Sequence, residues 1–141
     1  MPNGKTHDKI SLITIPLIAG LVWLIFNKVQ TVLIITTAYT FASFMFNGDL
    51  DINSRPYNRW WLFKVIWVPY QMMFTHRSIF THGIVIGTVI RVLYLGIIPF
   101  LYLLFVHDVN LLNYMVSAEG LYILLGLELG NTIHTLADKT L

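Results

Sequence analysis

The chain has 141 residues, of which 56% are hydrophobic and only 11% are charged, and its formal net charge is +2 at pH 7. Globular proteins carry about 25% charged residues, so this composition favours lipid over water around most of the surface. The small, scattered charge argues against nucleic-acid binding. The sequence contains no cysteine, which excludes disulfides and thiolate metal sites and leaves His, Asp and Glu as the strong metal ligands.

Four apolar windows are long enough to cross a bilayer, which takes about 20 residues. In chain order they are residues 10–26, 29–46, 83–106 and 109–133. Only Asn27 and Lys28 separate the first two windows, which predicts a tight helical hairpin. The fourth window is the least regular because it contains Glu119 and Glu128. The sequence therefore predicts one all-α integral membrane domain over residues 1–141, with four transmembrane helices.

Residues 57–74, between the second and third windows, mix basic residues with tryptophan and tyrosine. The aromatic residues in question are Tyr57, Trp60, Trp61, Trp67 and Tyr70. Indole and phenol rings favour the headgroup level of a membrane, so we expect a short interfacial helix that stops near Pro69. The alternative is a core helix of a soluble domain.

Lysine and arginine residues orient the chain, because they accumulate on the cytoplasmic side of membrane proteins. With a cytoplasmic N-terminus, only Lys28 faces the opposite side. The cytoplasmic side then holds Lys5, Lys9, Arg55, Arg59, Lys64, Arg77 and Lys139. Both termini are therefore expected in the cytoplasm.

The same topology brings several polar motifs to one membrane face. The candidate metal ligands there are His7, Asp49, Asp51, His76, His82, His134 and Asp138. Neutral imidazole and carboxylate are ligands that Zn²⁺, Mn²⁺ and Fe²⁺ accept. His134 and Asp138 are four residues apart, so on one helix both point the same way. The sequence predicts a divalent metal site at this face, with zinc first; separate caps and hydrogen bonds are the alternative.

Two further expectations concern the third window. We expect His76 in a loop and His82 in the first turn of the helix, with Thr81 as a candidate N-cap. Arg91 and Glu128 lie inside the windows, where a charge must face a partner or a wet cavity. A buried Arg91–Glu128 pair is therefore expected to join the third and fourth helices.

Five motifs occur in a recognisable order along the chain. They are GKTHD, GDLDINSR, WVPY, HRSIFTH and RVLYL, which start at residues 4, 48, 67, 76 and 91. In these motifs the chain resembles a bacterial family of metal-binding integral membrane proteins of unknown function. It is more distantly similar to inner-membrane metal-dependent hydrolases that share a DxD-type turn and an HRxxTH-type motif. Asn47 and Gly48 depart from the Ser-Pro of the family pattern, a change expected to affect turn stiffness rather than a ligand.

The resemblance implies a metal site in a multi-pass protein of the bacterial cytoplasmic membrane and, by analogy alone, a hydrolase. One or two ions would activate water for hydrolysis of a phosphoester on a lipid or amphiphile. Arg77 would clamp a phosphate oxygen, although a headgroup contact or a salt bridge to Asp49 or Asp51 is weighed equally. Asp8 would be a base, a further ligand or the partner of His7.

Two other functions remain compatible with the constellation. The first is a non-catalytic, metal-stabilised membrane scaffold or partner-binding protein, in which protein ligands fill every coordination position. A metal transporter ranks last, because transport sites usually lie near the membrane midplane. The expected partners are membrane lipids and the amphiphilic phosphoester, and the oligomeric state is left open.

Overall fold

The computed structural model describes residues 4–106, 113 and 117–140, and within them the regular structure is entirely helical. The α-helices are α1 (Gly4–Phe26), α2 (Val29–Met45), α3 (Arg55–Arg59), α4 (Trp67–Met73), α5 (Ile79–His82), α6 (Ile86–Val106) and α7 (Ala118–Thr140). Two 3-10 helices, Gly48–Asp51 and Trp61–Ile66, join the short elements. The all-α prediction is confirmed for this part of the chain.

The hairpin between the first two helices has the predicted two-residue connection. Asn27 takes a left-handed backbone conformation, with φ of 47°, which asparagine adopts more readily than most residues. Its N–H still donates to the carbonyl of Trp23 at 2.9 Å, so the end of α1 is closed before the chain reverses. The helix itself begins at Gly4, six residues before the predicted window.

Helices α2 and α7 form the most extensive helix pair of the described residues. Their contact is made of small residues: a Cβ on Gly126 would lie 2.6 Å from the Cβ of Ala38, and one on Gly130 would lie 2.6 Å from that of Ala42. Both helices thus present small residues four positions apart, the pattern that allows backbones to approach closely. This contact fixes the position of the second half of α7 along α2.

The hydrophobic core lies where α2, α4 and α7 meet. It consists of Ala38, Ala42, Phe46, Leu50, Trp67, Tyr70 and Leu127. Trp67 and Tyr70 are fully buried, so their rings pack inside the protein, and the predicted headgroup level of this segment stays a prediction. The ring of Trp67 packs edge-to-face on Phe46 at 5.8 Å and stacks on Tyr94 at 5.8 Å.

The single interfacial helix predicted over residues 57–74 is instead divided among α3, a 3-10 helix and α4. The predicted stop near Pro69 is wrong, since α4 continues to Met73. Pro69 is the third residue of α4, and a proline in the first helical turn removes no intrahelical donor.

Two helices of the described residues, rather than four, are long and apolar enough to cross a membrane: Gly4–Phe26 and Val29–Asp51. A further apolar stretch, Ile86–Tyr102, lies within α6. The helix α6 starts three residues after the start of the third predicted window, following a turn in which Val85 has φ of 66°. The described part of the fourth helix runs over residues 118–140 and carries many polar groups. Residues 107–112 and 114–116, which include the start of the fourth window, lie outside the described residues.

The predicted Arg91–Glu128 pair is wrong. The Arg91 guanidinium donates to the Thr81 carbonyl and to the Asn131 side-chain oxygen, both at 2.6 Å. Glu128 accepts from the N–H of Val85 at 2.9 Å, which closes the turn before α6. Thr81 lies inside α5 and is therefore not the N-cap of the long helix.

Candidate metal centre

The structure brings together all seven residues proposed as metal ligands, from four separate parts of the chain. His7 lies on α1, and His134 and Asp138 lie on α7. Asp49 and Asp51 lie on the 3-10 helix after α2. His76 lies just before α5, and His82 is the last residue of α5. His76 occupies a turn, as expected. That these seven residues bind a metal ion stays a prediction.

The aspartate turn after α2 is held by side chains bonded to its backbone. Asn47 is buried; its amide donates to the Ser43 carbonyl at 2.9 Å and its oxygen accepts from the N–H of Asp49 at 3.2 Å. The Ser54 hydroxyl donates to the Asp49 carbonyl at 2.6 Å and accepts from the N–H of Tyr57 at 3.2 Å, which starts α3. The backbone of Asp49 is thereby fixed, and its carboxylate is left to face the histidines.

Four donor atoms form the inner group: Asp49 Oδ1, His82 Nε2, His134 Nε2 and Asp138 Oδ2. Each nitrogen lies 3.5–3.6 Å from each of the two oxygens, and all four atoms lie within 4.8 Å of one another. A regular tetrahedron whose edges all had the length of these four N–O distances would have its centre about 2.1–2.2 Å from each corner, within the range of metal–ligand bonds to nitrogen and oxygen. The four residues are therefore placed to hold a divalent metal ion.

Three of these atoms are buried and have no hydrogen-bond partner: His82 Nε2, His134 Nε2 and Asp138 Oδ2. A buried polar atom without a partner costs about 1–3 kcal/mol, and most such atoms in proteins are paired. Their convergence on one point is explained if a cation occupies that point.

The carboxyl groups of Asp49 and Asp138 are held in the ionised form that can bind a metal ion. Burial raises the pKa of Asp49, but the nearby imidazoles of His134 and His82 outweigh burial and hold the pKa well below its usual range. Burial likewise raises the pKa of Asp138, and a hydrogen bond from His7 together with the charge of His134 makes the net shift downward. Both carboxylates are therefore ionised at neutral pH.

Asp51 lies on the other side of the His82 ring and is buried. Its carboxylate contacts His76 Nδ1 at 2.8 Å, accepts from the N–H of Arg77 at 3.3 Å and lies 3.6 Å from His82 Nδ1. The Thr81 hydroxyl lies 3.1 Å from the same His82 nitrogen. Asp51, His76 and His82 form a second group with metal-ligand spacing. Because Asp51 approaches the outer nitrogen of His82, it is also placed to orient that ring, as carboxylates behind metal-bound histidines do.

His7 lies next to the inner group without being part of it. Its Nε2 is 3.2 Å from Asp138 Oδ1, the carboxylate oxygen that does not face the other donors, and its ring centroid lies 4.3 Å from that of His134. His7 is therefore placed to hold Asp138 in position, leaving Oδ2 free for the ion.

The two residues predicted to be catalytic take different positions. Asp8 Oδ2 lies 2.7 Å from both Arg55 and Arg59, so its charge is neutralised outside the inner group, which opposes its interpretation as a base or a ligand. The Arg77 side chain is partly exposed and lies 3.8 Å from Asp138, rather than bridging to either aspartate of the 3-10 helix.

Gly48 contributes to the site through close contact, which the sequence interpretation missed. A Cβ at this position would lie 2.8 Å from two ring atoms of His82. The departure from Ser-Pro at Asn47-Gly48 therefore affects the space available to a candidate ligand, contrary to the expectation that it affects turn stiffness alone. The signal was present, because glycine beside an aspartate motif is typical of close approach.

Comparison with known proteins agrees with this cluster. A family described as "Uncharacterized metal-binding protein (DUF2227)" matches residues 2–141. An uncharacterized protein of Aquifex aeolicus (strain VF5) is 28% identical over 119 residues, covering 71% of this chain and 84% of that protein. No solved structure matches the chain. The resemblance to a metal-binding family of unknown function is confirmed, and the chain belongs to the DUF2227 family of uncharacterised metal-binding proteins.

Proposed function

We propose that this protein is a membrane-embedded, metal-dependent hydrolase that acts on a phosphoester of a lipid or amphiphile. The observation that carries the proposal is a cavity of about 340 Å³ that opens beside the inner group. His82 and Asp138 line the cavity together with the cationic side chains of Arg77 and Lys139. Metal-ligand side chains that can bind a cation and cationic side chains that can bind an anion therefore line the same cavity.

One divalent ion, with zinc favoured over manganese and iron, would be held by Asp49, His82, His134 and Asp138. When bound, such an ion lowers the pKa of a bound water to about 7 and polarises a phosphoryl oxygen. In this assignment Asp51 orients His82 from behind, so the second group holds no ion of its own. Elemental analysis of purified protein should then give one ion per chain, and two ions would contradict the assignment.

Arg77 and Lys139 would bind the substrate. The planar guanidinium of Arg77 suits a phosphate oxygen pair better than a lysine ammonium does, and its long approach to Asp138 leaves it able to turn toward a ligand. The exposed apolar side chain of Ile79 lines the same cavity, and the exposed Phe80 follows it in the chain. An amphiphile would fit this cavity, with its polar headgroup against the cationic side chains and its acyl chain against the apolar edge.

Insertion in the bacterial cytoplasmic membrane, with both termini cytoplasmic, is part of the proposal. The apolar window of α1 is only 11% buried, unlike that of a core helix in a soluble protein. Leu24 of α1 and Phe105 of α6 are more than four-fifths exposed, at 81% and 85%. Contiguous apolar surface of this kind is typical of a membrane contact. We propose four spans in all, the latter two being the helices that include α6 and α7.

Single cysteines in the cysteine-free chain test the topology. Asn53→Cys, near the metal centre, and Lys28→Cys, in the α1–α2 connection, are both at exposed positions. In inside-out vesicles an impermeant maleimide should label position 53 and spare position 28 until detergent is added. Labelling of both positions before detergent would oppose insertion.

The catalytic proposal is tested with zinc-loaded protein in detergent. Three probes cover the ester classes: p-nitrophenyl phosphate, bis-p-nitrophenyl phosphate and phosphatidylcholine in mixed micelles. Hydrolysis of one probe should be lost on chelation and in Asp138→Asn, and it should persist in Glu119→Gln, a carboxyl-to-amide control at the far end of α7. Arg77→Ala should raise KM more than it lowers kcat. Hydrolysis that survives chelation and Asp138→Asn would rule out the proposal.

A metal-stabilised scaffold is the second candidate, and one observation favours it. Four protein donors at tetrahedral spacing fill a zinc site, as in structural sites, whereas catalytic sites keep one position for water. The two functions differ in their response to inorganic phosphate. If the Co²⁺-loaded protein changes its visible absorption spectrum on addition of phosphate, a coordination position is open. An unchanged spectrum, with no hydrolysis of any probe, favours the scaffold.

A further inference from the structure

Three successive backbone carbonyls around the candidate ligand His82 each accept a hydrogen bond from a side chain of another helix. The carbonyl of Thr81 accepts from Arg91 on α6 at 2.6 Å. The carbonyl of His82 accepts from the hydroxyl of Thr135 on α7 at 3.2 Å. The carbonyl of Gly83 accepts from the Asn131 amide, also on α7, at 3.3 Å. We call Arg91, Asn131 and Thr135 the carbonyl clamp.

The shortness of α5 explains why side chains of other helices bond to its last carbonyls. Helix α5 is a single turn, Ile79–His82, followed by a turn in which Val85 takes a positive φ. So short a helix leaves its last carbonyls without intrahelical donors, and the carbonyls around His82 lie inside the protein, where unpaired groups are costly. Side chains of the long helices α6 and α7 supply donors instead, and the Gly83 carbonyl also accepts from the backbone N–H of Gly87 at 2.8 Å.

The clamp residues are themselves fixed. Arg91 and Asn131 are fully buried, and the Arg91 guanidinium donates to the Asn131 side-chain oxygen at 2.6 Å. The guanidinium also lies over the ring of Phe46, 5.6 Å from its centroid. Thr135 is buried as well. The Arg91 guanidinium, held by Asn131 and by the Phe46 ring, therefore links the backbone beside His82 to both α6 and α7.

We propose that the carbonyl clamp positions His82 relative to His134, and so sets the geometry and affinity of the metal centre. Asn131 and Thr135 flank His134 on α7, three residues before it and one after it, so the clamp ties one histidine's backbone to the helix that carries the other. The Nε2 atoms of both histidines must meet the same two carboxylates within 3.5–3.6 Å. Arg91 is thus a positioning residue, although the metal-binding candidates do not include it.

Thr135→Val is the most discriminating variant, since it keeps the side-chain shape and removes the hydroxyl that donates to His82. Thr135→Ser restores a hydroxyl and is the rescue variant. Thr40→Val is the matched control, because the Thr40 hydroxyl on α2 donates to the carbonyl of Thr36 in the same helix at 2.8 Å. Arg91→Lys tests the charged member, because an ammonium cannot reach both the Thr81 carbonyl and Asn131 with the same geometry.

The measurements are the visible absorption spectrum of Co²⁺-loaded protein and the Co²⁺ affinity by competition with a chromophoric chelator. Outer partners of metal ligands typically change affinity by about 10–100-fold. We expect Thr135→Val and Arg91→Lys to weaken Co²⁺ binding by about 10-fold or more and to shift the spectrum, whereas Thr135→Ser and Thr40→Val should resemble the wild type. The melting temperature is followed in parallel.

A merely structural clamp predicts a different result. Thr135→Val would then lower the melting temperature while the bound fraction kept the wild-type Co²⁺ spectrum and affinity, and that outcome would overturn the proposal. A wild-type protein that binds no Co²⁺ or Zn²⁺ would overturn it too, by removing the metal centre. Absence of hydrolase activity has no bearing on this inference, which depends on metal binding alone.

Discussion

Gly130→Ala should loosen the metal centre from a distance, through the contact between α2 and α7. The added Cβ would lie 2.6 Å from the Cβ of Ala42 and 2.9 Å from the carbonyl oxygen of Tyr39. Ordinary carbon contacts are about 3.5–4.0 Å, so α7 must move away from α2 by about 1 Å. His134 follows Gly130 by one turn and would move with it.

The expected magnitudes follow from this displacement. Overpacking costs about 1–3 kcal/mol, while replacing a helical glycine by alanine otherwise gains up to about 1 kcal/mol. Metal–ligand distances tolerate about 0.2 Å, so a movement of about 1 Å should lower Zn²⁺ affinity by about 10-fold or more. Gly20→Ala on α1 is the matched control, because no heavy atom lies within 4 Å of its added Cβ.

The assay compares the two variants in the same detergent by thermal unfolding of the chelated protein and by competition for Zn²⁺. Gly20→Ala should be as stable as the wild type or slightly more stable. Gly130→Ala should be about 1–3 kcal/mol less stable than Gly20→Ala and should bind Zn²⁺ more weakly. If the two variants matched in both measurements, the close packing of α2 and α7 would not control the site.

Three shorter predictions concern the centre itself. Gly48→Ala should weaken Zn²⁺ binding, measured by competition, because its Cβ would displace the His82 ring. An unchanged Zn²⁺ affinity would mean that the ring can move aside without disturbing the metal centre. His7→Gln should retain most of the metal found by elemental analysis and His134→Gln should lose it, since only His134 belongs to the inner group; equal losses would make His7 a ligand. Burial raises the pKa of Asp49, but the neighbouring histidines lower it more, so its folded-state pKa lies below the unfolded value of about 3.9. Asp49 therefore stabilises chelated protein fully above about pH 5 and loses this contribution as the pH falls further, and thermal melts from pH 6 to 3 should show a smaller drop for Asp49→Asn than for Glu119→Gln.

Convergence of the site was predictable because it depends on chain direction and residue type alone. Alternate helix ends meet on one side of an up-and-down bundle, so His7, Asp49 and His134 were placed together before any distance was known. The inner group within the seven candidates was not predictable. It depends on which nitrogen of His82 faces which carboxylate, and that is decided by the turn at Val85 and by the carbonyl clamp, neither of which has a sequence pattern.

The burial of Trp67 and Tyr70 was not predictable for a different reason. Trp67 and Tyr70 have the same side-chain chemistry in a core as at a membrane boundary, and the neighbouring basic residues gave the boundary interpretation more weight. By contrast, the Gly126-xxx-Gly130 pattern was readable and predicts close helix packing. It would have predicted a closely packed partner for α7, although it would not have identified that partner as α2.

The cluster also bears on how the chain folds. Asp49 and Asp138 come from distant parts of the chain, and their like charges repel, since the charge of Asp49 raises the pKa of Asp138. Without a cation, this repulsion is opposed by the neighbouring histidines and by Arg77, which lies 3.8 Å from Asp138. An ion held by the four candidate ligands would replace the repulsion by bonds that join the 3-10 helix after α2, α5 and the end of α7, so its binding free energy would add to the folding free energy. These bonds would reinforce elements that already contact one another.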